Sequence, residues 1–196
     1  MSKSDPSAQK KERNKTIRWV ITIFIVTIII SGTISLISDI IMDVSSTAVA
    51  FIILLTIVFV GIIFDVIGVA VTSADEKPFH SMAARKVSGG MESIRLLRNA
   101  ERVSSICNDV VGDICGVVSG SASATIAAQV LQSADFSGPQ LITLLMSAFV
   151  AGLTVGGKAI GKTFAINSCT EIVFCVGKIL YFIHHIPNLF KKENNS

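Results

Sequence analysis

Two constellations in this sequence have residue types and spacing that do chemistry. Gly156-Gly157-Lys158-Ala159-Ile160-Gly161-Lys162-Thr163 satisfies the pattern G-x-x-x-x-G-K-[ST], in which backbone amides cradle phosphates and a lysine reaches them. The other is acidic: Asp65, Asn108, Asp109 and Asp113 offer the oxygen donors that a hard divalent cation takes. Lys158 is available as their counter-charge. Which chemistry is open to either set depends on the elements that carry it.

Those elements are apolar. Of the 196 residues, 51% are hydrophobic and 16% charged, with a mean hydropathy of +0.66, whereas soluble domains carry about 25% charged residues. Uncharged runs cover Trp19 to Ser38, Val44 to Phe64, Ile114 to Ala134 and Phe136 to Gly157, of 20, 21, 21 and 22 residues. Each is long enough to cross a hydrocarbon core of about 30 Å at about 1.5 Å per residue. The expectation is an all-α integral membrane protein with four transmembrane helices. The first run is too long for a signal-peptide core and Leu36-Ile37-Ser38-Asp39 lacks an A-x-A site, so it stays as an anchor.

This assignment removes the nucleotide reading. A phosphate loop sits between a buried strand and a helix of an α/β domain, but the residues before Gly156 are one spanning run. The segments "FVGIIFD" and "SLISD", which resemble magnesium-binding strand ends, are parts of spans as well. No nucleotide, no cofactor and no enzymatic activity are expected.

Charge placement gives orientation. The 17 Lys and Arg residues fall six in Lys3 to Arg18, six in Lys77 to Arg102 and five in Lys158 to Lys192. The loops Met42 to Ser46 and Gln132 to Gly138 hold Asp43 and Asp135 and no base. By the positive-inside rule the N-terminus, the central segment and the C-terminus are cytoplasmic, in a multi-pass protein of the plasma membrane. The net charge of +3 is thus a topological signal and implies no nucleic acid. Cys107, Cys115, Cys169 and Cys175 fall in or beside the inner halves of helices, where disulfides are not expected; they read as small packing residues.

The basic segments carry apolar stripes. Asp75 reads as an N-cap and Pro78 as a first-turn residue, and Phe79, Met82, Ala83, Val87, Met91, Ile94 and Leu97 recur at helical spacing opposite Arg85, Lys86, Arg95 and Arg98. That predicts an interfacial helix over about 75–100, broken at Gly89-Gly90. A second is expected over about 168–187, because a fifth span there would carry Lys191 and Lys192 outside. His184 and His185 point about 100° apart on a helix, a poor chelate, and read as headgroup contacts. The expected layout is a basic tail 1–16, a first span 17–41, a domain 46–190 with spans 46–73, 103–131 and 139–162, and a tail 191–196.

Ionisable groups inside spans normally face the protein interior, a cavity or a partner charge. Asp65, Asn108, Asp109, Asp113 and Lys158 all fall in the inner halves of their spans. Asp109 and Asp113 share a face at i, i+4, which Gly116 and Gly120 continue. Gly112-x-x-x-Gly116-x-x-x-Gly120 is a small-residue seam that lets backbones approach, including in a homodimer; carbonyls exposed at such a seam are also suited to line an ion path.

From Ile62 to about Phe190 the chain resembles the transmembrane domain of the cyclin M (CNNM) and CorB/CorC magnesium and cobalt transporters. "FDVIGVAVTS" (64–73) is similar to the family's F-F-S-A-S-E-x-A-L-x-S, "NAERVSSICNDVV" (99–111) to N-P-D-R-F-L-x-x-I-x-I-G-N-T-L-V with a short deletion, and "GKAIGKTFA" (157–165) to G-E-h-h-P-K-T-h-A, with h apolar. The order of these segments, the basic stretch between the first two and the amphipathic helix after the third match as well. The resemblance implies a homodimer in the lipid bilayer whose three-helix core takes Mg²⁺ as cargo. The ion would lie on helix-one serines, the Asn, the turn Glu and nearby carbonyls.

Asn108 and Gly157 retain the family's residues. The two serine positions become Asp65 and Ile67, the following Glu becomes Gly68, the turn Glu becomes Lys158, and the Pro becomes Gly161. Two outcomes are open: an internal Lys–Asp salt bridge that replaces the ion, or a relocated cation site on Asp65, Asp109 and Asp113 gated by Lys158. The first span lies outside the match, and the family's nucleotide-binding regulatory domains are not expected here. The expectation is a stand-alone relative whose regulation requires a separate partner.

Overall fold

The protein's structure, a computed structural model, describes the backbone of residues 6–43, 45–133 and 139–193 and the side chains of 17–41, 45–131 and 140–185. The loop acid Asp135 and the chain ends 1–5 and 194–196 lie outside these residues. Every element among the described residues is helical.

Four helices are long and apolar enough to cross a membrane, over Ile17–Ile41, Thr47–Ser73, Ala100–Leu131 and Gln140–Asn167. The first belongs to α1, Pro6–Asp43. Of the stretch expected as a tail over 1–16, residues 6–16 belong to this helix, since their Lys, Arg, Glu and Gln residues are good helix formers. Helix α2 is Thr47–Ser73. The third begins as α5, Ala100–Ser105, passes through a π-helical segment, Ile106–Gly112, and continues as α6, Asp113–Ser133. Helix α7 is Pro139–Asn167, with proline at its first position, where no intrahelical N–H is needed.

Helix α2 is the hub, packed against both α6 and α7, which also touch each other. Its buried residues Ala50, Leu54, Val58 and Gly61 recur at helical spacing. Around them Ala122, Ile126 and Val150 complete one core cluster. Helix α1 is added outside this triangle against α6, where Ile23 packs on the cluster of Val110, Ile114 and Val118. Most of its other large side chains are exposed, Phe24, Leu36 and Ile40 among them, leaving an apolar surface that suits a lipid environment.

One end of the triangle is capped by short helices. Helix α3 (Lys77–Ala84) and helix α4 (Gly90–Arg98) form a hairpin, and α4 lies on α8 (Cys169–Glu193). The segment read as one broken helix over 75–100 is therefore split again at Asn99. At the first break Gly89 has φ +93°, and a Cβ there would run into the backbone of Lys178. Ser93 Oγ donates to Gly89 O at 2.9 Å and Val173 O at 3.3 Å, tying α4 to α8. Phe79, Ile94, Val71, Ala165 and Val173 fill the core beneath. Asp75 takes the Lys77 amide at 3.2 Å, but the N-cap residue of α3 is Glu76. Helix α8 runs unbroken to Glu193, past the limit of 187 expected from its apolar stripe.

Candidate functional site: a polar crossing of three helices

The candidate site lies where α2, α7 and the π-helical segment meet. Lys158 Nζ, from α7, stands 3.5 Å from Asp65 Oδ1 of α2, with only 25% and 16% of the two side chains exposed. Gly112 makes the pair possible. A Cβ there would lie 3.3 Å from Lys158 Nζ and 3.8 Å from Asp65 Oδ1, so the absence of a side chain provides the floor on which the pair rests.

The glycines of α7 bring the helices close enough for this contact. A Cβ on Gly157 would collide with Ile62, and one on Gly161 would stand 2.7 Å from Val66 Cγ2. Because α7 is continuous through these residues, the Gly157 carbonyl accepts the N–H four residues on, that of Gly161. A proline at position 161 would lack that N–H and release the carbonyl. Gly157 is a packing point against Ile62, and its carbonyl takes part in the helical ladder.

Asn108 sits on the π-helical segment, a geometry frequent at functional sites. Its Nδ2 donates to Ser104 Oγ at 3.2 Å, while its Oδ1 is buried without a hydrogen-bond partner. The side chain fills the place next to Gly68, where a Cβ would collide with the Asn108 amide. Glycine at position 68 and the amide of Asn108 are thus two sides of one packing arrangement.

The remaining acids go elsewhere. Asp109 and Asp113 are both exposed, and Asp109 Oδ2 accepts from Ser105 Oγ at 2.6 Å. Among the described residues no three His, Cys, Asp or Glu side chains come together as a metal-binding group. The relocated site on Asp65, Asp109 and Asp113 is therefore not assembled. Gly112 faces the crossing, and a step of one residue turns Asp113 about 100° away. Of the glycine seam, Gly112 alone meets another helix; a Cβ at Gly116 or Gly120 would have nothing within 4 Å.

Sequence reasoning passed over several residues. Ser104 and Ser105 stand four before Asn108 and Asp109, a spacing that is readable as side-chain pairing on a helix. Gly61, where a Cβ would stand 2.8 Å from Cys115 Cβ, sets the α2–α6 approach without any motif to mark it. Asp39, an acid inside α1, has a buried Oδ1 with no hydrogen-bond partner. Arg102 lies over the ring of Trp19 at 5.5 Å, joining residues too distant in sequence for a spacing rule. Comparison of the chain with protein-family models, with curated proteins and with solved structures finds no match.

Proposed function

We propose that this chain is a multi-pass membrane protein, built like a magnesium-transporter core, in which a lysine–aspartate pair takes the place of the transported cation. It then serves as a non-transporting structural or regulatory membrane component. The observation that carries this reading is the 3.5 Å contact between Lys158 Nζ and Asp65 Oδ1. A fixed ammonium beside the carboxylate repels a divalent cation, and breaking such a pair leaves an uncompensated charge.

A second reading has its own observation. Asn108 Oδ1 is buried and has no hydrogen-bond partner, and a buried unsatisfied oxygen of this kind is what a passing cation would satisfy. In that reading Lys158 swings away from Asp65, and Mg²⁺ or Co²⁺ is the transported substrate. Both readings keep the positive-inside orientation, with the N-terminus and C-terminus in the cytoplasm of a plasma-membrane protein. Both also include a homodimer, for which the open sides of Gly116, Gly120, Gly152 and Gly156 offer close-packing surface.

Flux measurement separates the two. Protein reconstituted in liposomes is expected to move no Mg²⁺, Co²⁺ or Mn²⁺ above the protein-free rate. Flux that Asn108→Ala abolishes would establish the transporter reading instead.

A further inference from the structure

A cavity of about 300 Å³ opens between α4, α5 and α8, lined by Glu92, Arg95, Asn99 and His184 on its polar side and by Leu96, Val103, Leu180 and Ile183 on its apolar side. We propose that it is a phospholipid headgroup site selective for a phosphoethanolamine headgroup. Arg95, with His184 and Asn99, takes the phosphate; Glu92 takes the ammonium; and the apolar wall takes the first part of the acyl chains.

The three arginines of α4 and α5 differ in what they contact. Arg98 Nε stands 3.8 Å from Glu76 Oε1 and Arg102 covers Trp19. Arg95 makes no ion pair and no side-chain hydrogen bond among the described residues, and neither do Glu92 and His184. A glutamate three residues before an arginine on one helix is placed to pair with it, yet the two line the cavity separately. The polar wall thus presents a free acid and a free base together, a match for a zwitterion that carries both charges. Arginine is suited to the phosphate through its planar, multiple-donor head.

The level of the cavity fits a lipid as well. Val103 belongs to the third apolar segment, Ala100–Leu131, so the apolar wall begins where that segment does. Nearby on α8, Tyr181 stacks on His185 at 4.1 Å between ring centroids, and Trp19 stands against Arg102. Aromatic and basic residues of this kind gather at the headgroup level.

The test uses the full chain purified in mild detergent, with thermal unfolding read against added lipid. Dioleoyl phosphatidylethanolamine at about ten times its dissociation constant is expected to raise Tm by about 3–6 °C. Dioleoyl phosphatidylglycerol and dioleoyl phosphatidylcholine should act more weakly, the first lacking an ammonium and the second an ammonium that donates hydrogen bonds. Arg95→Ala and Glu92→Gln should each weaken the phosphatidylethanolamine response at least about tenfold, while Arg98→Ala, which lies outside the cavity, keeps it. Should Arg95→Ala not fold, Glu92→Gln and native mass spectrometry of the wild-type protein with the three lipids read the same preference. Equal responses to the three lipids, or a response that survives both cavity substitutions, overturns the proposal. A shift of the same size from inorganic phosphate or free phosphoethanolamine overturns it in favour of a soluble phosphate compound.

Discussion

The three-helix crossing and the α4–α8 cavity are built from nearly the same residue types. The crossing holds Asp65, Lys158 and Asn108; the cavity holds Glu92, Arg95 and Asn99, with His184 added. In the crossing, glycine at positions 112, 157 and 161 lets the backbones close until acid and base reach each other. In the cavity the acid and the base remain apart, with about 300 Å³ of open space before them. Helix spacing therefore decides which charges are consumed inside the chain and which stay available to a ligand.

The largest expected break in this comparison is Lys158→Glu, which sets a second carboxylate against Asp65. Loss of a buried pair's partner costs about 3–5 kcal/mol, and unfolding of the purified protein should report a loss in that range. Exchanging the charges with Asp65→Lys and Lys158→Asp together should recover part of it; no recovery would mean that the pair's geometry, and not its charge, matters.

Next come the close approaches of α2. Gly61→Ala drives a Cβ to 2.8 Å from Cys115 Cβ, an overpacking expected to cost about 1–3 kcal/mol. Gly116→Ala meets nothing within 4 Å and should stay within about 0.5 kcal/mol in the monomer. If Gly116→Ala or Gly120→Ala instead costs as much as Gly61→Ala, and crosslinking shows the dimer lost, a second copy packs on that face.

Smaller still is Arg102→Ala, which removes the cation–π contact with Trp19 for about 0.5–1 kcal/mol. In lipid-free detergent Arg95→Ala should fall within about 0.5 kcal/mol, since its head has no partner among the described residues. A larger loss without lipid would mean that the cavity's charges are structural, as those of the crossing are.

Much of this contrast is legible in the sequence, but unevenly. Uninterrupted apolar runs mark the four long helices because length and lack of charge are local properties. The meeting of Asp65 and Lys158 is open to reading as well, since long apolar helices expected to alternate in direction would bring both to the same end of the bundle. The fates of Asp109 and Asp113 are not. Their mutual spacing places them on one face of a helix, but only the rotation of the π-helical segment against α2 decides that Gly112 faces inward and they do not. The glycine seam fails in the same way, for three equally spaced residues say nothing about which neighbour passes each one. The cavity depends on α4 meeting α8, about 80 residues away, as the Ser93–Val173 bond records. No local pattern encodes such a contact.

The central claim is that the crossing is closed by its own ion pair, and the direct measurement is the Mg²⁺ dependence of thermal unfolding for the wild-type protein beside Lys158→Glu. The account predicts a wild-type Tm that millimolar Mg²⁺ leaves unchanged, and a Lys158→Glu protein of lower Tm that Mg²⁺ raises by screening or binding the paired carboxylates. A wild-type protein stabilised by Mg²⁺, together with a Lys158→Glu variant of unaltered stability, would contradict it.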